Sequence, residues 1–133
     1  MKITPTDFNK ILENYYSHAP TCTYVLGVDF DKTLCYSAYP FCGEETPIAE
    51  WLRQIQANSN NKFITIIFSC REGLPADLAK IWLENHNIKW DYFNENDPNR
   101  IKVYKDCRKI YCDMLIDDTA WGFNMKDFIV EEK

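Results

Sequence analysis

Hydrophobic and polar positions fall along the chain in blocks whose period switches between helical and extended. Over residues 6–17, Phe8, Ile11, Leu12, Tyr15 and Tyr16 recur at three- and four-residue spacing, one face of a helix that Thr6 can cap and Pro20 ends. Residues 24–30, "YVLGVDF", lack polar alternation and are rich in β-branched and aromatic types, as in a strand buried on both faces. The stretch 34–46, "LCYSAYPFCGEET", contains Pro40 and Gly43 and reads as an irregular flap or small hairpin. Thr46 followed by Pro47 starts a helix lined by Ile48, Trp51, Leu52 and Ile55, which dissolves in "NSNN".

The alternation continues. "KFITIIFS" (62–69) is a second apolar strand, and Gly73 and Pro75 open a helix whose expected core face is Leu74, Leu78, Ile81 and Trp82. "IKWDYFN" (88–94) supplies a short third strand. Residues 95–108 are polar and basic with one short apolar interruption, and "DMLIDD" (113–118) is a fourth strand. Strands alternating with helices predict an α/β fold, a Rossmann-like three-layer sandwich around a parallel sheet. One domain is expected over residues 1–133, with 1–20 as an N-terminal helical extension.

Composition narrows the functional classes. A hydrophobic fraction of 46% is enough to build a core, and a net charge of −5 provides no broad basic field for nucleic-acid backbones. No apolar run approaches the roughly 20 residues that span a bilayer, and the first residues lack a signal-peptide apolar core, so a cytoplasmic location is expected. The six cysteines include "CRKIYC" (107–112), but there is no C-x-x-C pair, and His18 and His86 lie far from it. They read as free thiols rather than a zinc site or a disulfide framework.

The candidate chemistry lies where the strands end. Asp29 and Asp31 close the first strand with Thr33 beside them, Ser69 closes the second, and Asp117 and Asp118 close the fourth. In open parallel sheets the ligand crevice lies outside these carboxyl ends. Two carboxylates about 4 Å apart repel by roughly 4 kcal/mol at an effective dielectric near 20, so four in one cleft call for a counter-charge. A hard divalent cation with oxygen ligands, Mg²⁺, meets that need and leaves room for a phosphate. A carboxylate beside such a metal can attack phosphorus while its neighbour moves the proton, and Lys109 and Ser69 suit the stabilisation of a phosphoryl group.

With these residues in order, the chain resembles the haloacid dehalogenase (HAD) superfamily. Asp29-Phe30-Asp31-Lys32-Thr33 matches its Asp-x-Asp-x-Thr motif, Ser69 the hydroxyl of its second motif, Lys109 its lysine, and Asp117-Asp118 its paired acids. Tyr39-Pro40, Gly43-Glu44-Glu45, Pro47, Arg71-Glu72-Gly73 and Arg108-Lys109 through Asp118 resemble more specifically the small, capless HAD-like hydrolases of bacteria and phages. The resemblance implies Asp29 as nucleophile and Asp31 as general acid and then base. It implies Mg²⁺ held by Asp29, the backbone carbonyl of Asp31, Asp117 and, directly or indirectly, Asp118. It also implies Ser69 and Lys109 at the phosphoryl group. Lys32 departs from the pattern, which usually has glycine there to ease a tight turn.

Alternative roles remain for several of these residues. Ser69 and Asp118 also suit helix capping, Lys102 and Lys105 compete with Lys109, and Asp113 suits a supporting role. Thr33 and Arg71 are candidate substrate contacts, Arg71 with pairing to Glu72 as the alternative. The expected activity is Mg²⁺-dependent phosphomonoester hydrolysis through an aspartyl-phosphate. The alternative is an HAD-fold binding or regulatory module with little or no catalysis. A receiver-type signalling domain would place its phosphorylated aspartate on the third strand, which carries no acid at its end here. The expected partner is a phosphorylated substrate, in the first place a small molecule, with a nucleic-acid end or a phosphoprotein as the alternatives, and no membrane partner is expected.

Overall fold

β1 (Val25–Asp29) is the centre of the molecule, because its uninterrupted apolar side chains tolerate a neighbour on each edge and packing on each face. The computed structural model describes residues 2–18, 23–59, 61–104 and 111–131. Around β1 stand β4 (Ile64–Phe68), β5 (Tyr92–Phe93) and β6 (Met114–Ile116), in the order β5-β4-β1-β6 with every pairing parallel. α1 (Pro5–Ser17), α2 (Pro47–Asn58), α3 (Gly73–Asn85) and α4 (Pro98–Tyr104) flank this sheet. The architecture is α/β with a four-stranded parallel sheet.

Strand pleating divides the side chains. Leu26, Val28, Ile67 and Ile116 share one core with Phe8 and Leu12 of α1, Ile48, Trp51, Leu52 and Ile55 of α2, and Ala79, Trp82 and Leu83 of α3. Gly27 points to the other side, where a Cβ would come within 3.2 Å of Cys112 Sγ, so a larger residue would displace that segment. The N-terminal helix is an integral part of the core, since Phe8 and Leu12 are fully buried and Phe8 meets Tyr24, Trp51 and Phe63 edge-to-face.

Three sequence expectations are corrected. α1 is capped by Thr4 rather than Thr6: Thr4 Oγ1 accepts the Asp7 N–H at 3.1 Å, and Asp7 Oδ2 accepts the Thr4 N–H at 2.9 Å. Thr6 instead donates to the Glu131 carboxylate. Helix α3 buries Ala79, Trp82 and Leu83 and leaves Leu74 and Ile81 exposed. Both stripes have helical spacing and share Trp82, and its indole N–H donates to Gly43 O at 3.0 Å, which fixes the rotation of the helix. The basic stretch after β5 contains α4, started by Pro98 behind Asp97, whose carbonyl accepts from Arg100 and Ile101.

The flap is an antiparallel hairpin of β2 (Cys35–Ala38) and β3 (Phe41–Glu45), and it is the whole connection between the turn after β1 and α2. At Gly43 a Cβ would collide with the Tyr36 carbonyl, which explains the glycine. Thr46, predicted to start α2, does cap it, accepting the Ile48 N–H while its hydroxyl donates to Thr33 O. Asp113 accepts from Arg100 at 2.6 Å and from the Val25 N–H at 2.8 Å, fastening α4 to β1. Among the described residues no helix is long and apolar enough to cross a membrane.

Candidate active site at the carboxyl ends of the strands

Register brings the acids together. Val28 is level with Ile116, so Asp29 and Asp117 are the next residues at the same sheet end, and Asp29 is level with Phe68, immediately before Ser69. These strand ends open into a crevice of about 620 Å³ lined by Asp29, Asp31, Lys32, Ser69, Asn94, Asp117, Asp118 and Thr119 among others. A hollow of about 480 Å³ near Lys62 and Lys89 gathers no comparable set of acids.

Three of the predicted residues form one group. Asp29, Asp117 and Asp118 each contribute a carboxylate oxygen, all within 4.8 Å of one another. Thr33 organises two of them, lying between Asp29 Oδ2 and Asp118 Oδ1 at 3.2 Å each and accepting the Asp118 N–H at 3.1 Å. Its single proton serves one carboxylate at a time. Asp117 is oriented by the N–H and hydroxyl of Thr119, which donate to Oδ1 at 3.0 and 2.9 Å.

The electrostatics follow from this crowding. Burial, then the hydrogen bond with Asp118, then the charges of Asp117 and Asp118 push the Asp29 carboxyl up to about 8, against a lowering by the Thr33 hydroxyl. A cation placed among the three would reverse that shift. The donor set is carboxylate oxygen alone, without His or Cys, which fits a hard ion such as Mg²⁺ rather than zinc.

Asp31 is separate. Its carboxylate accepts two bonds from Arg71, Nε to Oδ2 at 2.9 Å and Nη2 to Oδ1 at 2.7 Å, so its side chain is not part of the acidic group. Arg71 departs from both sequence readings: it pairs with Asp31 rather than Glu72 and does not line the crevice. Its side chain is 1% exposed because the guanidinium also donates to the carbonyls of Pro40, Phe41 and Pro75. Thr33 likewise is fully buried, so its place is beneath the acids rather than against a ligand.

Ser69 lines the crevice and caps no helix. Its Oγ accepts the Arg71 N–H at 3.0 Å, while α3 begins beyond Glu72. Asp118 lies within the turn closed by the Ala120 N–H to Asp117 O bond, and the 3-10 helix that follows is capped by Asn124. Lys109, with Lys105 and Arg108, lies outside the described residues. Asn94 was missed in the sequence. It accepts the Ser69 N–H at 2.7 Å and donates to Ser69 O at 2.9 Å, from a backbone at φ 56° that asparagine tolerates. The rule that selected the ends of the other strands also points to it, one residue past β5. Thr119 was missed too, although it directly follows the paired acids.

A structural comparison finds a solved protein of similar fold. The structure of a conserved protein from Bacteroides thetaiotaomicron matches with a TM-score of 0.64 at 30% sequence identity, over 79% of this chain and 85% of that one. The chain belongs to that protein's family. No family model and no curated protein matches the chain. The Bacteroides relationship therefore brings a shared fold to this family member, and its chemistry rests on the crevice residues themselves.

Proposed function

We propose that the chain is a Mg²⁺-dependent phosphatase of the capless HAD-like kind, hydrolysing phosphomonoesters through an aspartyl-phosphate on Asp29. The observation that carries this reading is the convergence of the Asp29, Asp117 and Asp118 carboxylates within 4.8 Å, in a crevice that Ser69 also lines. Asp29, Asp117 and Asp118 would hold Mg²⁺, with the Asp31 carbonyl as a further ligand expected from the motif. Bound there, Mg²⁺ supplies positive charge that keeps Asp29 ionised and balances the phosphoryl oxygens.

In this reading an Asp29 oxygen attacks phosphorus, the ester P–O bond breaks, and the leaving oxygen takes a proton from Asp31. Asp31 then removes a proton from water, whose oxygen attacks the phosphoryl group, releasing phosphate and restoring Asp29. The Ser69 hydroxyl donates to a phosphoryl oxygen, held by the two bonds between its backbone and Asn94. Lys109 is assigned to the phosphoryl group by its motif. Thr33 spaces Asp29 and Asp118, and Arg71 aims Asp31 from beneath. The hairpin of β2 and β3, with no inserted domain, leaves the crevice open, and a phosphorylated small molecule remains the proposed substrate.

The test is release of phosphate from an aryl phosphate and a panel of phosphorylated metabolites, with Mg²⁺ or chelator. Mg²⁺-dependent turnover lost roughly a thousandfold or more in Asp29→Asn supports the reading. Turnover that survives this change removes it. A second reading, an HAD-fold binding or regulatory module with little or no activity, is favoured by the two bonds of Arg71 to Asp31, which engage both oxygens of the side chain assigned to proton transfer. A wild type inert across the panel selects this second reading.

A further inference from the structure

Lys32 has a backbone conformation suited to glycine, at φ 65°, between the two residues on which the acidic motif turns. A left-handed conformation is sterically costly for a residue with a Cβ, and such strain persists where the side chain has a use. The turn is enforced locally: the Lys32 N–H donates to Cys35 O at 2.8 Å, and the Leu34 N–H to Phe30 O at 2.9 Å. A glycine would satisfy both bonds, so neither explains the lysine.

The side chain is exposed and lines the crevice, where it is the one cationic residue among the described lining residues. Four carboxylates line the same crevice, yet the ammonium makes no ion pair or hydrogen bond with any described residue. Asp31 already has Arg71, and Asp29, Asp117 and Asp118 form the group suited to a divalent ion. The Lys32 ammonium is thus committed to none of these carboxylates, on a flexible stem beside the open mouth. A second anionic group on an incoming phosphate ester would be repelled by the acids and has this ammonium to meet it.

Resting on the phosphatase reading above, we propose that Lys32 selects small phosphomonoesters carrying a second anionic group, a carboxylate or a further phosphate, remote from the phosphate that is hydrolysed. The phosphate that reacts sits at Asp29 and Ser69, and the second group pairs with the Lys32 ammonium at the rim. Lys32 here determines specificity and takes no part in bond making or breaking.

The experiment compares matched esters differing by one anionic group: carboxyphenyl phosphate against phenyl phosphate, and 3-phosphoglycerate against glycerol 3-phosphate, each with Mg²⁺. Lys32→Gly suits the left-handed turn, so it removes the ammonium while keeping the backbone. The ratio of kcat/KM between the doubly and singly anionic ester should fall about tenfold in Lys32→Gly and hold in Lys32→Arg, with the change mainly in KM. An unchanged ratio in Lys32→Gly, with turnover of the esters intact, overturns the assignment of Lys32 and leaves the phosphatase reading standing. A wild type that hydrolyses none of the four esters overturns both.

Discussion

Asp31 and Arg71, forty positions apart, meet in a two-point ion pair with bonds of 2.7 and 2.9 Å, the buried guanidinium lying over the rings of Phe30 and Tyr39 at 5.2 and 5.1 Å from their centroids. The same guanidinium holds the hairpin through Pro40 O and Phe41 O, and the first turn of α3 through Pro75 O. Removing it leaves a carboxylate and three carbonyls without their donor. Arg71→Gln should therefore cost about 3 kcal/mol, or roughly 10 °C in Tm, with Arg71→Lys intermediate because a single ammonium cannot reproduce the fork. Urea denaturation checks this. A loss below about 1 kcal/mol would mean that the pair contributes no more than a surface bridge.

The same pair bears on proton transfer. Both Asp31 oxygens accept from Arg71, so the proton that Asp31 passes to a leaving group uses a lone pair the guanidinium leaves free, and a poor leaving group needs that proton most. Asp31→Asn should lower kcat/KM for an alkyl phosphate at least about tenfold more than for 4-nitrophenyl phosphate. Because kcat/KM reports only steps up to departure of the leaving group, equal losses on the two esters would remove Asp31 from the role of acid.

The acidic group was legible in the sequence because β1, β4 and β6 are apolar blocks with abrupt polar ends, and parallel register turns those ends into neighbours. The pairing of Arg71 was not, since Glu72 offers a local partner while Asp31 becomes available only once β1 and β4 lie level. The rotation of α3 was hidden for a similar reason: two stripes sharing Trp82 fit one helical period, and only the Gly43 carbonyl distinguishes them. Helix α4 was concealed by its thin apolar content, although Asp97-Pro98 marked its start. Thr33 was read by its motif as a ligand contact, whereas its burial depends on the hairpin folding over it through Thr46.

Thr33 gives a direct test of how the acids are spaced. Thr33→Val keeps the shape of a fully buried side chain but removes the hydroxyl shared by Asp29 and Asp118, and it leaves the Asp118 N–H unpartnered. The expected cost is about 1–3 kcal/mol in stability and roughly tenfold in Mg²⁺ affinity by calorimetry. Thr33→Ser, which restores the hydroxyl, should recover the affinity. If Thr33→Val binds Mg²⁺ as wild type does, the hydroxyl does not set the geometry of the acids.

The Asp29 carboxyl, pushed up to about 8 chiefly by burial, sets a pH dependence whose sign is unusual for an aspartate. In the unfolded chain it ionises near 4, so between about pH 4 and 8 the folded protein holds a proton that the unfolded chain has released. Metal-free stability from this group is therefore greatest below about 4, declines through that window and levels off above 8. Mg²⁺ must displace the same proton, so its apparent affinity should rise with pH up to about 8 and then flatten. Tm measured in chelator from pH 5 to 9, for wild type and for Asp29→Asn, isolates the group: wild type should lose stability relative to the variant as pH rises. With saturating Mg²⁺ the trend should vanish, because bound metal keeps the carboxylate ionised and neither the folded nor the unfolded state then holds the proton across this window. A metal-free difference that stays flat across the window would mean that Asp29 is already ionised at neutral pH and that its neighbours, not a cation, relieve the crowding.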